Sequence, residues 1–169
     1  MKSAGLFAIS VSVILTSFYL MNLHRKNLEF IKKLSDLFSE FSSLTSLYEL
    51  DAINCIEKLS LMPVFSSLGF LFVILNDYYI GCNMRELWIN SVNNFCPLPF
   101  YMREIKELLI SFSDTLGKYS REEFSAKCIL FSEKIRKIYE AEAEKWEKNR
   151  SLHLGTGVFT AAAVFIIFI

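Results

Sequence analysis

A chain of 169 residues, 53% of them apolar, with eighteen basic and eighteen acidic residues, is neither a disordered nor a wholly membranous polypeptide. Zero formal net charge and a pI near 6.7 supply no clustered positive field, which excludes nucleic-acid binding. Apart from Lys2, every charged residue falls between Arg25 and Arg150, so both ends are charge-free.

The first charge-free run, Ser3 to Leu23, is long enough to cross a hydrocarbon core of roughly 30 Å at about 1.5 Å per residue. No small-x-small cleavage site closes it before the cluster His24-Arg25-Lys26, which favours an uncleaved anchor over a signal peptide. Residues 1–24 are therefore expected to form an N-terminal transmembrane anchor. Arg25, Lys26, Lys32 and Lys33 follow it, against Lys2 alone before it, and this bias places residues 25–150 in the cytosol.

Within that middle region, Leu28, Ile31, Leu34, Phe38, Phe41, Leu44 and Tyr48, then Ile53, Ile56 and Leu59, recur at helical spacing. This predicts a long amphipathic helix or two in series, with Lys33, Asp36, Glu40, Ser43 and Glu57 on the solvated side. Leu59 to Asn76 is uncharged and includes FLFVIL, but Pro63, Gly69 and several serines dilute it. A helix buried on all sides within a bundle is expected there, rather than a third span.

Gly81-Cys82-Asn83 predicts a turn, and Asn83 with Glu86 has the form of a capping pair opening a helix that carries Leu87, Trp88 and Val92. Pro97 and Pro99 predict a rigid linker with a boundary near residue 97. Ile105, Leu108, Leu109, Phe112 and Leu116 form the next stripe, with Gly117 placed for a left-handed helix end. Ser120 and Glu123 then read as a capping box for a last helix, whose stripe is Phe124, Cys128, Phe131, Ile135 and Ile138. Glu133 before Lys137 and Glu144 before Lys148 stand in the favourable i, i+4 order. The second charge-free run, residues 151–169, is expected to be a C-terminal transmembrane helix. Gly155, Gly157 and Ala161 to Ala163 give it a small-residue stripe for helix approach.

Chemistry has little to work with. Cys55, Cys82, Cys96 and Cys128 are too far apart in sequence to make a C-x-x-C clamp, and read as reduced, mostly buried thiols. His24 and His153 sit at the predicted membrane boundaries rather than together in a cleft, and the chain contains neither a GxxxxGK[ST] loop nor GxGxxG. Glu122 and Glu123 read as helix-start residues suited to the positive end of the dipole. No catalytic, cofactor-binding or metal site is expected, and the chain reads as a non-enzyme. Trp146, Tyr139 and Arg136 are candidate interface anchors, and Glu140, Glu142, Glu144 and Glu147 a candidate face for a basic partner.

The N-terminal anchor running into a leucine-rich helix, Trp88 after the Gly81 turn, and the stretch from Leu108 to Gly117 together resemble the stage III sporulation protein AB family. So does the segment from Ser120 to Arg150-Ser151-Leu152 with its terminal small-residue span. The first half departs from the family's pattern, with Leu50-Asp51-Ala52-Ile53 where a Pro-Leu element would stand. The resemblance implies an all-α fold, a cytosolic helical bundle like that of secretion-system platform proteins, flanked by the two membrane helices. It also implies a scaffold in the mother-cell membrane around the forespore, contacting other stage III sporulation proteins and a secretion-type ATPase, and open to homo-oligomer formation. A small pore or lysis protein, or an anchored signalling module, is the competing class. The large charged middle argues against the first, and the lack of an extracytoplasmic region against the second.

Overall fold

The computed structural model describes residues 2–79, 81–96 and 102–168, with the side chains of residues 2–10, 13 and 150–168 outside the description. Every regular element among the described residues is helical, as expected: α1 (Lys2–Tyr48), α2 (Ala52–Leu61), α3 (Gly69–Asp77), α4 (Met84–Phe95), α5 (Arg103–Phe112) and α6 (Arg121–Phe168). Short 3₁₀ turns stand at Pro63–Phe65 and Ser113–Thr115. Two compact units divide the chain, one of residues 31–137 and one of residues 1–30 with 138–169.

The 31–137 unit carries the core. Along α1 the predicted stripe is buried from Leu28 to Leu44, joined by Leu37, which the periodicity did not single out. Tyr48 leaves the stripe and is 62% exposed, because the helix ends there. The two-helix alternative is the one realised. Glu49 takes the left-handed conformation (φ +53°), and the Leu50 amide returns to the Leu44 carbonyl at 3.4 Å.

The uncharged stretch from Leu59 to Asn76 is cut into three pieces, because Pro63 starts a 3₁₀ turn and α3 begins only at Gly69. At nine residues α3 is too short to cross a bilayer. The expectation that it is buried all round is corrected: Phe70, Leu71 and Ile74 face the core, while Phe72 is 42% exposed.

Local end signals are realised in detail. The Asn83 side chain accepts the Arg85 amide at 3.2 Å and donates to the Glu86 carboxylate at 3.0 Å. Ser120 and Glu123 form the reciprocal box, with the Ser120 amide donating to the Glu123 carboxylate at 3.1 Å and the Glu123 amide to the Ser120 hydroxyl at 3.4 Å. Gly117 sits at φ +74°, the conformation for which glycine has no Cβ penalty. The linker expected over Pro97 to Phe100 lies outside the described residues.

Phe112, the last residue of α5, stands at the centre of an aromatic cluster. Its ring lies 4.6 Å from Phe38, 5.9 Å from Phe41, 5.0 Å from Trp88, 5.8 Å from Phe124 and 5.2 Å from Phe131. Trp88 is fully buried, packs edge-on to Phe70 at 5.6 Å, and donates its indole N–H to the Leu109 carbonyl at 2.7 Å. Burying this tryptophan is affordable because its one polar atom is satisfied.

Helices α1 and α6 run antiparallel within this unit and meet at two serine pairs. Ser35 and Ser132 each donate a hydroxyl to the other's backbone carbonyl, at 3.0 and 2.9 Å. One heptad along, the Ser42 and Ser125 hydroxyls lie 2.7 Å apart, and Ser125 also reaches the Ser42 carbonyl at 3.3 Å. Side chain to backbone bonds across two helices require close approach, which only small residues at those positions permit.

Truncating the hub removes contacts to three helices at once, α1, α4 and α6. Phe112→Ala is expected to cost about 3–5 kcal/mol in denaturant unfolding of the full chain in mild detergent, whereas Phe95→Ala, at a half-exposed position, changes stability by less than about 1 kcal/mol. Glu49→Gly relieves a left-handed non-glycine residue and is expected to raise stability by about 0.5–1 kcal/mol in the same assay. A loss of stability there would show that the Glu49–Arg121 ion pair, 3.1 Å long but exposed on both sides, outweighs the backbone strain.

Candidate functional site

Among the described residues, no group of three or more His, Cys, Asp and Glu side chains is placed to hold a metal ion. Cys55, Cys96 and Cys128 are buried and free, and Cys82 is half-exposed and free. Burial pushes all three buried thiols up, Cys96 to about 12, with Cys55 adding to the rise at Cys128 and a Thr45 hydroxyl contact partly offsetting it at Cys55. Such thiols are not nucleophiles near neutral pH, because the thiolate is the reactive form.

The anchors singled out in the sequence fare differently. Trp146 is half-buried against His24, the two rings stacked 4.5 Å apart at 26°, so its face is already occupied within the terminal unit. Tyr139 is half-buried and Arg136 exposed. The acidic run on α6 is largely neutralised: Glu142 pairs with Lys145, and Glu144 with Lys148, both at 2.7 Å. The second pair is the expected i, i+4 one; it lowers the Glu144 pKa and raises that of Lys148, through the hydrogen bond first and the charge second. The other expected pair does not form, since no ion pair joins Glu133 and Lys137. The side chain of His153 lies outside the described residues. Glu123 serves the capping box, and Glu122 lines an open hollow beside Arg121 and Ser125.

Two surfaces escaped the sequence reading. The first is a hollow lined by Asp36, Ser39 and Glu40 of α1 and by Met62, Val64 and Phe65 around the 3₁₀ turn. Val64, which lines it, is 56% exposed. Asp36 and Glu40 are exposed, stand one helical turn apart, and have no ion-pair partner among the described residues. Lys33, one turn earlier, donates instead to the Ser67 hydroxyl at 3.0 Å. Like charges at i, i+4 repel, so the fold tolerates this pair rather than gaining from it. The only sequence signal was that spacing, and it does not reveal the apolar floor, which comes from a turn more than twenty residues away.

The second surface is a ridge on α6. Lys127, Leu130, Lys134 and Lys137 follow at steps of three, four and three, which aligns them on one helix face. Leu130 is half-exposed, Lys134 and Lys137 are exposed, and Lys137 has no ion-pair partner among the described residues. The Lys127 and Lys134 ammonium groups each lie 5.6 Å from a ring centroid, of Tyr119 and Phe131 respectively. Glu133 borders the ridge on the side of Ile129.

No curated protein and no solved structure matches the chain. The family model for stage III sporulation protein AB matches residues 2–169. The segment from Leu108 to Gly117, one of those that suggested the resemblance in the sequence, supplies the Trp88 acceptor at Leu109, the aromatic hub at Phe112, the Asp114 partner of Arg85 at 2.7 Å and the left-handed Gly117. The chain belongs to the stage III sporulation protein AB family.

Proposed function

We propose that this protein is a membrane-anchored scaffold of the stage III sporulation complex linking mother cell and forespore. It docks a cytosolic secretion-type ATPase, neighbouring membrane subunits and further copies of itself through the helical unit. The observation that carries this reading is the family match over residues 2–169 of a chain whose two apolar ends flank a charged, helical middle.

In this reading residues 3–23 and 151–169 cross the mother-cell membrane around the forespore, and residues 25–150 lie in the cytosol. Its support is the length of the charge-free runs and the excess of Lys and Arg on their inner flanks. Among the described residues, no helix is long and apolar enough to cross a membrane.

Sidedness is tested with Cys82, the one cysteine that is not buried. A membrane-impermeant maleimide is expected to label it in inside-out vesicles and not in intact protoplasts. Labelling in intact protoplasts would overturn the cytosolic placement. Cys55 and Cys128 serve instead as internal controls for unfolding, since both are fully buried.

Partnership is tested by crosslinking the tagged full-length protein in sporulating cells and reading the captured proteins by mass spectrometry. The expected outcome is recovery of a secretion-type ATPase together with other stage III sporulation proteins. Their absence from a well-expressed, membrane-inserted sample would overturn the scaffold role.

A further inference from the structure

The acidic hollow and the lysine ridge both belong to the 31–137 unit, and each lacks what the other provides. In the hollow, two carboxylates one turn apart border an apolar floor of Met62, Val64 and Phe65. On the ridge, two ammonium groups one turn apart stand beside a projecting Leu130. We propose that the ridge of one copy of this chain seats in the hollow of a second copy, with Leu130 over Val64 and Met62 and with Lys134 and Lys137 facing Asp36 and Glu40. This inference rests on the self-association included in the proposed function and gives it a surface.

Three observations favour a second copy as the occupant. The charges are opposite in sign and equal in number, and each pair stands about one helical turn apart, because residues at i, i+3 and i, i+4 are both neighbours on a helix. Asp36, Glu40 and Lys137 have no ion-pair partner among the described residues, and the chain as a whole is neutral, so the complementarity is local and does not follow from net charge.

The two surfaces also cannot meet within one copy. At about 100° per residue, Asp36 and Glu40 lie roughly 100–160° around α1 from Ser35 and Ser42. Those serines face α6. Leu130, Lys134 and Lys137 lie similarly far around α6 from Ser125 and Ser132, which face α1. Each surface therefore points away from the helix that bears the other. A contact between two different patches of identical copies is heterologous, so it builds a ring or an open chain rather than a two-fold dimer.

The test is sedimentation of the full-length protein in density-matched detergent across a concentration series, at low and high salt. The wild-type chain is expected to show species larger than a dimer that recede as salt screens the charges. Asp36→Lys with Glu40→Lys, and separately Lys134→Glu with Lys137→Glu, are each expected to weaken association about a hundredfold. Mixing the two reversed proteins is expected to restore it, because the lysine-faced and glutamate-faced copies can alternate.

The milder Glu40→Gln and Lys137→Gln are expected to give smaller losses, and unchanged circular dichroism would show that each variant is folded. If the wild type sediments as a monomer throughout, self-association itself is overturned while the scaffold role stands. If it associates and both reversed proteins do so equally well, this surface is overturned and self-association survives. Failure of the mixture to reassemble would overturn the pairing of these two faces.

Discussion

The phenyl ring of Phe112 meets five other aromatic rings, drawn from α1, α4 and α6, at centroid distances between 4.6 and 5.9 Å. Aromatic pairs at these separations gain from edge-to-face and offset geometry as well as from burial. Because the ring sits at the C-terminal end of α5, it can reach all of these helices only if α5 stops there. The 3₁₀ turn at Ser113–Thr115 and the left-handed Gly117 provide that stop. Loss of the turn would misplace the hub, and loss of the hub would leave α1, α4 and α6 without a common neighbour. The indole bond from Trp88 to the Leu109 carbonyl fixes the depth at which α4 and α5 pack beneath it.

What the sequence revealed depended on how local the physics was. The capping pair at Asn83, the capping box at Ser120 and the glycine at 117 were all legible, because each is decided by residues within three or four positions of itself. The stripes on α5 and α6 were legible because burial there follows the helical period, with Ile105, Leu109 and Phe112, and Cys128 and Ile135, all inside. Phe72 was misjudged because apolar composition alone does not say which side of a short helix meets the core.

The interaction surfaces were less visible. The acidic hollow joins α1 to a turn distant in sequence, so no window of residues contains it. Trp146 looked available until the fold brought His24 against its ring. The serine pairs left a trace, since Ser35 and Ser42, and Ser125 and Ser132, are each seven residues apart. Serines on an amphipathic helix are ordinarily solvated, and nothing in one helix alone says that its serines face another.

Those two pairs also set the mechanical character of the unit. The hydroxyls bond to backbone atoms as well as to one another, so the axial position of α1 against α6 is fixed at two levels about 10 Å apart. A small axial slip would break both levels together and leave nearly buried hydroxyls and carbonyls without partners, which is costly. The next position at which a serine again faces a serine is a full heptad away. Between those positions the two helices act as a locked strut, so a push or pull applied at one end is delivered at the other without sliding.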